Sequence, residues 1–511
     1  MSILKKLAGE TVLYGVPSIL GRTINFFLVA LHTQVFPKPG MLSSNIELYA
    51  YAAILNVLYT YGMETAFFRY ASRAENPRFY YNLVLTAILS TSVLFSGTMI
   101  LFAPQLAAAL DYRGEETNIV WMAIIIAIDA IVAIPFAWLR LQKKAKKFAG
   151  IRMTNILLNV GLNFFFLWFC KGIYENHFLA ELKPMMAWMY NPQLGVGYIF
   201  LANLIANGMM IPMLWREFRM FRPTLDAEQF KIVWVYAYPI LIMGLAGTVN
   251  LMTDRLLLKY LLPDGFYPGR TAKDVLGIYG NCYKLSIFVN LVIQAFRYAA
   301  EPFFFSQAKD RNAPETFALV MKWFIICCVL IWVGVSLNLD FVAHWFLRNK
   351  VYQEGLGVVS ILLLANVFLG IYYNLSIWFK LSDKTYYGTL ITLLGAGLTV
   401  GLNVLLIPQI GYEGCAITFL LSCFIMTLVC YWLGSIHYPI PYDLTSALGY
   451  IGSAGLLIWA SSKIQISNLW IAVPYHLGLC LLYVAGIVII ERKTLWKLAP
   501  KKLQTKRGEN P

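Results

Sequence analysis

The sequence predicts an all-α polytopic membrane protein of about fourteen transmembrane helices, built as two parallel six-helix repeats plus two C-terminal helices. Three observations carry this. Of 511 residues, 59% are hydrophobic and 13% charged, against roughly 25% charged in a soluble domain. Apolar runs of about 20 residues, the length that crosses ~30 Å of hydrocarbon, recur along the chain. Short phrases in the first half return in order in the second.

The spans are predicted near 12–35, 47–69, 80–103, 118–139, 150–170, 195–215, 232–258, 275–300, 319–339, 355–379, 386–407, 412–433, 444–462 and 469–490. Lys5 and Lys6 precede the first run, which continues to about Val35 without a small-residue cleavage site; a retained helix is expected rather than a signal peptide. With a cytoplasmic N-terminus, 28 of the 41 Lys and Arg residues fall in cytoplasmic segments or at cytoplasmic helix ends, 11 fall on the opposite side, and Arg22 and Lys284 lie within spans. The positive-inside rule therefore predicts both termini in the cytoplasm. The net charge of +15 is read as topology and contact with anionic membrane lipid, not nucleic acid.

The repeat is legible phrase by phrase. Phe68-Arg69-Tyr70-Ala71 on span 2 returns as Phe296-Arg297-Tyr298-Ala299 on span 8, with Leu48 and Tyr51 matching Leu276 and Tyr279. Tyr14 and Pro17 match Tyr236 and Pro239. Ala137-Trp138-Leu139-Arg140 faces Ile377-Trp378-Phe379-Lys380, and Val160-Gly161-Leu162-Asn163 returns as Val400-Gly401-Leu402-Asn403. Pro192-Gln193-Leu194-Gly195 returns as Pro408-Gln409-Ile410-Gly411. The expected organisation is an N-terminal six-helix lobe (1–229), a C-terminal six-helix lobe (230–433), two additional helices (434–490) and a basic tail (491–511). Six is even, so both lobes start on the same side. Parallel repeats of this kind place a substrate path between the halves, near the midplane.

All eight cysteines fall within or at the ends of apolar spans without a C-x-x-C pair, and the five histidines are scattered. Neither set suggests a disulfide framework or a metal site. No P-loop or dinucleotide fingerprint is present. The expectation is a transporter without a cofactor, not an enzyme.

At these residues the chain resembles the multidrug/oligosaccharidyl-lipid/polysaccharide exporter superfamily, and within it the bacterial polysaccharide-biosynthesis flippases of the O-antigen (Wzx) type. The phrases that carry the resemblance are Tyr61-Gly62-Met63-Glu64-Thr65-Ala66-Phe67-Phe68-Arg69-Tyr70, Asp254-Arg255 and the two Pro-Gln-x-Gly turns. The resemblance implies movement of an undecaprenyl-diphosphate-linked oligosaccharide across the bacterial inner membrane for O-antigen or lipopolysaccharide synthesis. It also implies work beside a polysaccharide polymerase and glycosyltransferases.

Ionisable residues within spans are functional candidates because they are costly there. Arg22 near the middle of span 1 and Lys284 near the middle of span 8 come from opposite halves and would suit one diphosphate. Asn25 and Asn281 are candidate neutral contacts on the same two spans. Arg69 and Arg297 either frame an incoming phosphate or anchor span ends at the interface. Asp129 in span 4 and Glu64 in span 2 either couple an ion or balance a nearby cation. Asp254-Arg255 serves as a gate or as a local pair. Asn155, Asn159 and Asn163 share one face of span 5, and Asn203 and Asn207 one face of span 6; such amides bind sugar hydroxyls or hold helices together. Two competing functions make different demands. A cation antiporter of the same superfamily needs an acidic cavity, and a membrane glycosyltransferase or polymerase needs a large outer loop with catalytic groups.

Overall fold

The computed structural model describes residues 20–494 except 22, 25, 308, 309, 311, 383, 465, 467 and 493. The protein is 84% helical, without strands among the described residues. This follows from the solvent: in hydrocarbon every backbone N–H must find its partner within the segment. Among the described residues ten helices are long and apolar enough to cross a membrane, and a bent pair makes an eleventh. The ten correspond to predicted spans 3, 4, 5, 7 and 9 to 14. Of span 1 the described residues include the helix Phe26–Val35, while spans 2, 6 and 8 are shorter or interrupted, represented by Ser43–Thr60 with Met63–Ala71, Gly197–Met213, and Ala272–Lys284 with Ile287–Gln307. Below, outer and inner denote the ends that the basic-residue distribution assigns to periplasm and cytoplasm.

The interruptions have local causes. Span 2 breaks at Tyr61 and Gly62, whose φ angles are 29° and 75°. A Cβ on Gly62 would lie 2.6 Å from the Ala237 carbonyl oxygen of span 7, so glycine serves both the left-handed turn and the close approach. Span 8 breaks after Lys284 with a bend of 45°. Span 7 runs unbroken through Pro239 as Ala227–Leu261, about 52 Å at 1.5 Å per residue, beyond the predicted 232–258. The stretch after span 5, expected as a loop from Lys171 to Asn191, is partly helical. Span 5 continues through a π-helical turn, Phe165–Cys170, to Tyr174, and Lys183–Met189 forms a short helix.

By packing, the chain divides into two compact units. One comprises Met1–Ala313 with Phe346–Pro439, the other Pro314–Trp345 with Ile440–Pro511. In the first, spans 3 and 6 pack on span 4, while spans 7, 10, 11 and 12 pack on one another. Span 7 bridges these groups by lying along span 2. Repeated sequence gives repeated geometry: Asn163 and Asn403, both buried, each donate to the carbonyl four residues back, Asn159 at 2.9 Å and Thr399 at 2.8 Å. The second unit has its own apolar contact among Ile326, Tyr450 and Ile487. It also has its own ionic network, in which Lys322 reaches Glu491 at 2.5 Å and Asp443 at 3.3 Å.

Candidate functional site

Two adjoining cavities of about 490 and 270 Å³ lie inside the first unit and share Val29, Asn45, Tyr49 and Lys284. Lys284 is the last residue of the outer segment of span 8. A helix C-terminus there places carbonyl dipoles beside the ammonium and favours a cation. Its Nζ donates to Asn281 Oδ1 at 3.2 Å, and Asn281 in turn donates to the Gly277 carbonyl at 2.8 Å. Asn281 is wholly buried and does not line either cavity; it positions the cation from behind. Lys284 makes no ion pair among the described residues.

Arg255 of span 7 lines the larger cavity with Lys284. Its guanidinium sits 3.5 Å over the Tyr283 ring, Nη1 lies 3.0 Å from Met252 Sδ, and Nη2 is buried without a hydrogen-bond partner. The adjacent Asp254 accepts from the Tyr279 hydroxyl and from the Arg255 backbone N–H at 2.8 Å. Stacking fixes the plane of the guanidinium while leaving donors for an oxyanion.

The smaller cavity is an amide recess. Asn155, Asn159 and Asn163 of span 5 line it together, with Asn203 of span 6 opposite. These amides also hold helices together: Asn203 donates to Tyr49 Oη at 2.6 Å, Asn155 to Asn207 Oδ1 at 2.8 Å, and Asn163 Oδ1 lies 3.0 Å from His32 Nε2. Asn45 adds a buried Nδ2 without a hydrogen-bond partner. No carboxylate lines either cavity among the described residues.

The other candidates lie elsewhere. Asp129 sits behind the recess and accepts from Asn207 Nδ2 at 3.0 Å, so a chain of two amides connects it to the cavity wall. Glu64 pairs with Arg140, whose guanidinium also stacks on Phe68 at 4.8 Å. Arg69 and Arg297 are exposed and each stacks on a tyrosine, Arg69 4.2 Å over Tyr236 of span 7 in the other half and Arg297 4.3 Å over Tyr373 of span 10 in its own half. Neither lines these two cavities. Arg22, Asn25 and Pro17 lie outside the described residues. Sequence reasoning passed over Asn45, Tyr49 and His32. The first two stand four residues apart on span 2, so one helix face presents both; a helical wheel set against the asparagine face of span 5 carries that signal.

No protein-family model and no curated protein sequence matches the chain. Solved structures do. The fold superposes on a protein described as lipid II flippase MurJ in an inward closed conformation, with a TM-score of 0.71 at 12% identity, over 95% of this chain and 100% of that one. It also matches an inward-facing multidrug resistance MATE family transporter of the MOP superfamily, with a TM-score of 0.60 at 13% identity over 88% and 100%. A third match is a MOP superfamily transporter from Pyrococcus furiosus described by the reverse polarity of its binding pocket, with a TM-score of 0.53 at 14% identity over 84% and 95%. The chain has the fold of these MOP superfamily transporters, a multi-pass helical membrane fold of about fourteen spans.

Proposed function

We propose that this chain is a flippase that moves a polyprenyl-diphosphate-linked oligosaccharide across the bacterial cytoplasmic membrane by alternating access, for assembly of surface polysaccharide. The observation that carries this reading is the charge of the cavity, which presents Arg255 and Lys284 and no carboxylate among its described lining residues. The same fold serves a lipid II flippase and multidrug transporters, so cavity polarity, not fold, has to decide the cargo. A diphosphate entering the membrane loses the water that paid for its charge. Arg255 supplies a fork for phosphate oxygens and Lys284 a point charge. The amide recess suits sugar hydroxyls, while the apolar wall made by residues such as Phe26, Ile46 and Leu251 suits the first isoprene units.

In this reading Arg22 and Asn25 of span 1 are further candidates for the substrate, and Arg69 and Arg297 sit at the inner ends as aromatic-backed anchors. Asp129, tied through two amides to the recess, is the leading carboxylate for ion coupling, ahead of Glu64. Both termini face the cytoplasm, near the polymerase and glycosyltransferases that would share the lipid carrier.

The test is binding to the purified full chain by undecaprenyl diphosphate, undecaprenyl monophosphate and the cationic dye ethidium, followed by native mass spectrometry. Diphosphate should bind tightest. Lys284→Ala and Arg255→Ala should each weaken it by about ten- to a hundredfold, the range of a charge-assisted hydrogen bond. Lys284→Arg should retain most of the affinity. Preferential binding of ethidium would overturn the reading in favour of a cation antiporter.

A further inference from the structure

We propose that Glu47 and Lys259 form the lock that holds the cavity shut on its outer side, and that release of this single ion pair opens the site outward. The proposal rests on the alternating-access reading but not on the identity of the cargo. Glu47 lies in the first turns of span 2, in the first half, and Lys259 near the outer end of span 7, in the second. Lys259 Nζ is 2.6 Å from Glu47 Oε2, with the two side chains 6% and 0% exposed. Lys259 also donates to the Leu110 carbonyl at 2.7 Å and lies 4.3 Å over the Tyr112 ring. Leu110, Tyr112 and Glu47 all belong to the first half, so one lysine of the second half plugs a socket built by the other.

The socket is fully partnered. Tyr112 donates its hydroxyl to Glu47 Oε2 at 2.7 Å, and Tyr260 to Oε1 at 2.8 Å. Glu47 stands between Ile46 and Tyr49, which line the cavity, and Lys259 stands one turn outward of the lining Arg255 on span 7, so the pair borders the cavity on its outer side. Among the described residues one other ion pair joins the halves, Lys273 to Asp111 at 2.9 Å, and Asp111 is 79% exposed there. Glu47–Lys259 is thus the buried one. Its physics suits a lock. While the halves touch, each charge has the other as its only opposite charge in place of water, and removing one leaves an uncompensated buried charge. Once the halves part, water solvates both. Neutralising one partner therefore penalises the closed arrangement and spares the open one. A residue that merely filled space would not behave this way, because exchanging the two charges would not repair its loss.

The experiment uses the full chain in right-side-out vesicles, with Ala50→Cys as reporter. Ala50 lines the cavity and is 2% exposed. A membrane-impermeant maleimide is added outside, and labelling of the position-50 peptide is followed by mass spectrometry. Glu47→Gln and Lys259→Gln should each speed labelling by about tenfold or more, the shift expected when a two-state balance loses a favoured contact. The exchange variant Glu47→Lys/Lys259→Glu should return the rate to within about threefold of the parent. Tyr260→Phe leaves both charges in place and should accelerate labelling by a few-fold; it serves if a charge variant fails to reach the membrane. Unchanged labelling in the single variants and in Tyr260→Phe would overturn the lock, as would equal acceleration in the exchange variant. Loss of diphosphate binding by the parent with an intact labelling response would strike the proposed cargo and leave the lock standing.

Discussion

The two ends of the interface between the halves are fastened differently. At the outer end a charged and dry contact, Glu47 with Lys259, is supported by Asp274 accepting from Gly40 N–H at 2.9 Å and by Tyr352 donating to the Phe36 carbonyl at 2.6 Å, with the exposed Lys273–Asp111 pair at the rim. At the inner end they are neutral or cation-π and reach water. Tyr70 donates to the Ile232 carbonyl and Tyr80 to Gln229 Oε1, each at 3.3 Å, and Arg69 lies over Tyr236. Exposed hydrogen bonds trade with water at little net cost. A buried ion pair does not, because each member is stranded if the other leaves. The comparison teaches that the inner end can part and rejoin with small energy changes, while the outer end holds until a specific event frees it.

Glycine substitutions break this comparison most forcefully. A Cβ on Gly277 would lie 2.1 Å from the Pro39 carbonyl oxygen across the outer junction. Gly277→Ala should prise that junction open at a cost of about 1–3 kcal/mol to the closed form, read as faster external labelling of a cavity cysteine. Gly62→Ala acts at the inner junction against Ala237 and adds the strain of a positive φ, roughly 1–2 kcal/mol more. Its main effect should be lower stability in a detergent melt, with external labelling unchanged. If both variants accelerate external labelling alike, the two ends are not distinct. Removing one inner hydrogen bond by Tyr80→Phe should cost at most about 1 kcal/mol and leave substrate binding intact.

The smallest effect is expected at Asp111. A hydrogen bond from Lys273, with its charge, holds this carboxyl below the ordinary carboxylate range. Such a group stabilises above its unperturbed pKa, and the contribution is lost as pH falls through the depressed value. Because the pair is largely exposed, Lys273→Ala should change stability by less than about 1 kcal/mol. The difference between variant and parent melts should be steady at neutral pH, begin to shrink below about pH 4 and vanish only once the pH falls past the depressed value.

The architecture was readable because it follows from solvent. Run length gave the number of spans, and the echo of Val160–Asn163 in Val400–Asn403 anticipated two buried amides in matching positions. Lys284 was readable for the same reason, since a lysine amid apolar residues has to face something polar. What was not readable is pairing at a distance. Glu47 and Lys259 stand 212 positions apart at the ends of two spans, where charges are ordinary, and nothing local separates an interfacial anchor from a plugged socket. Asp254-Arg255 was read as a gate or a local pair; that the same guanidinium also lines the larger cavity, while Asp254 accepts from Tyr279, depends on distant packing that the dipeptide does not announce.

The bend in span 8 has a mechanical meaning. The segment from Ala272 to Lys284 is a rigid arm of about 20 Å, and its inner continuation is another. When two arms turn about a joint, their tips travel farthest and the joint itself hardly moves. Lys284 sits at that fulcrum, so an anion gripped there stays in place while the walls around it tilt.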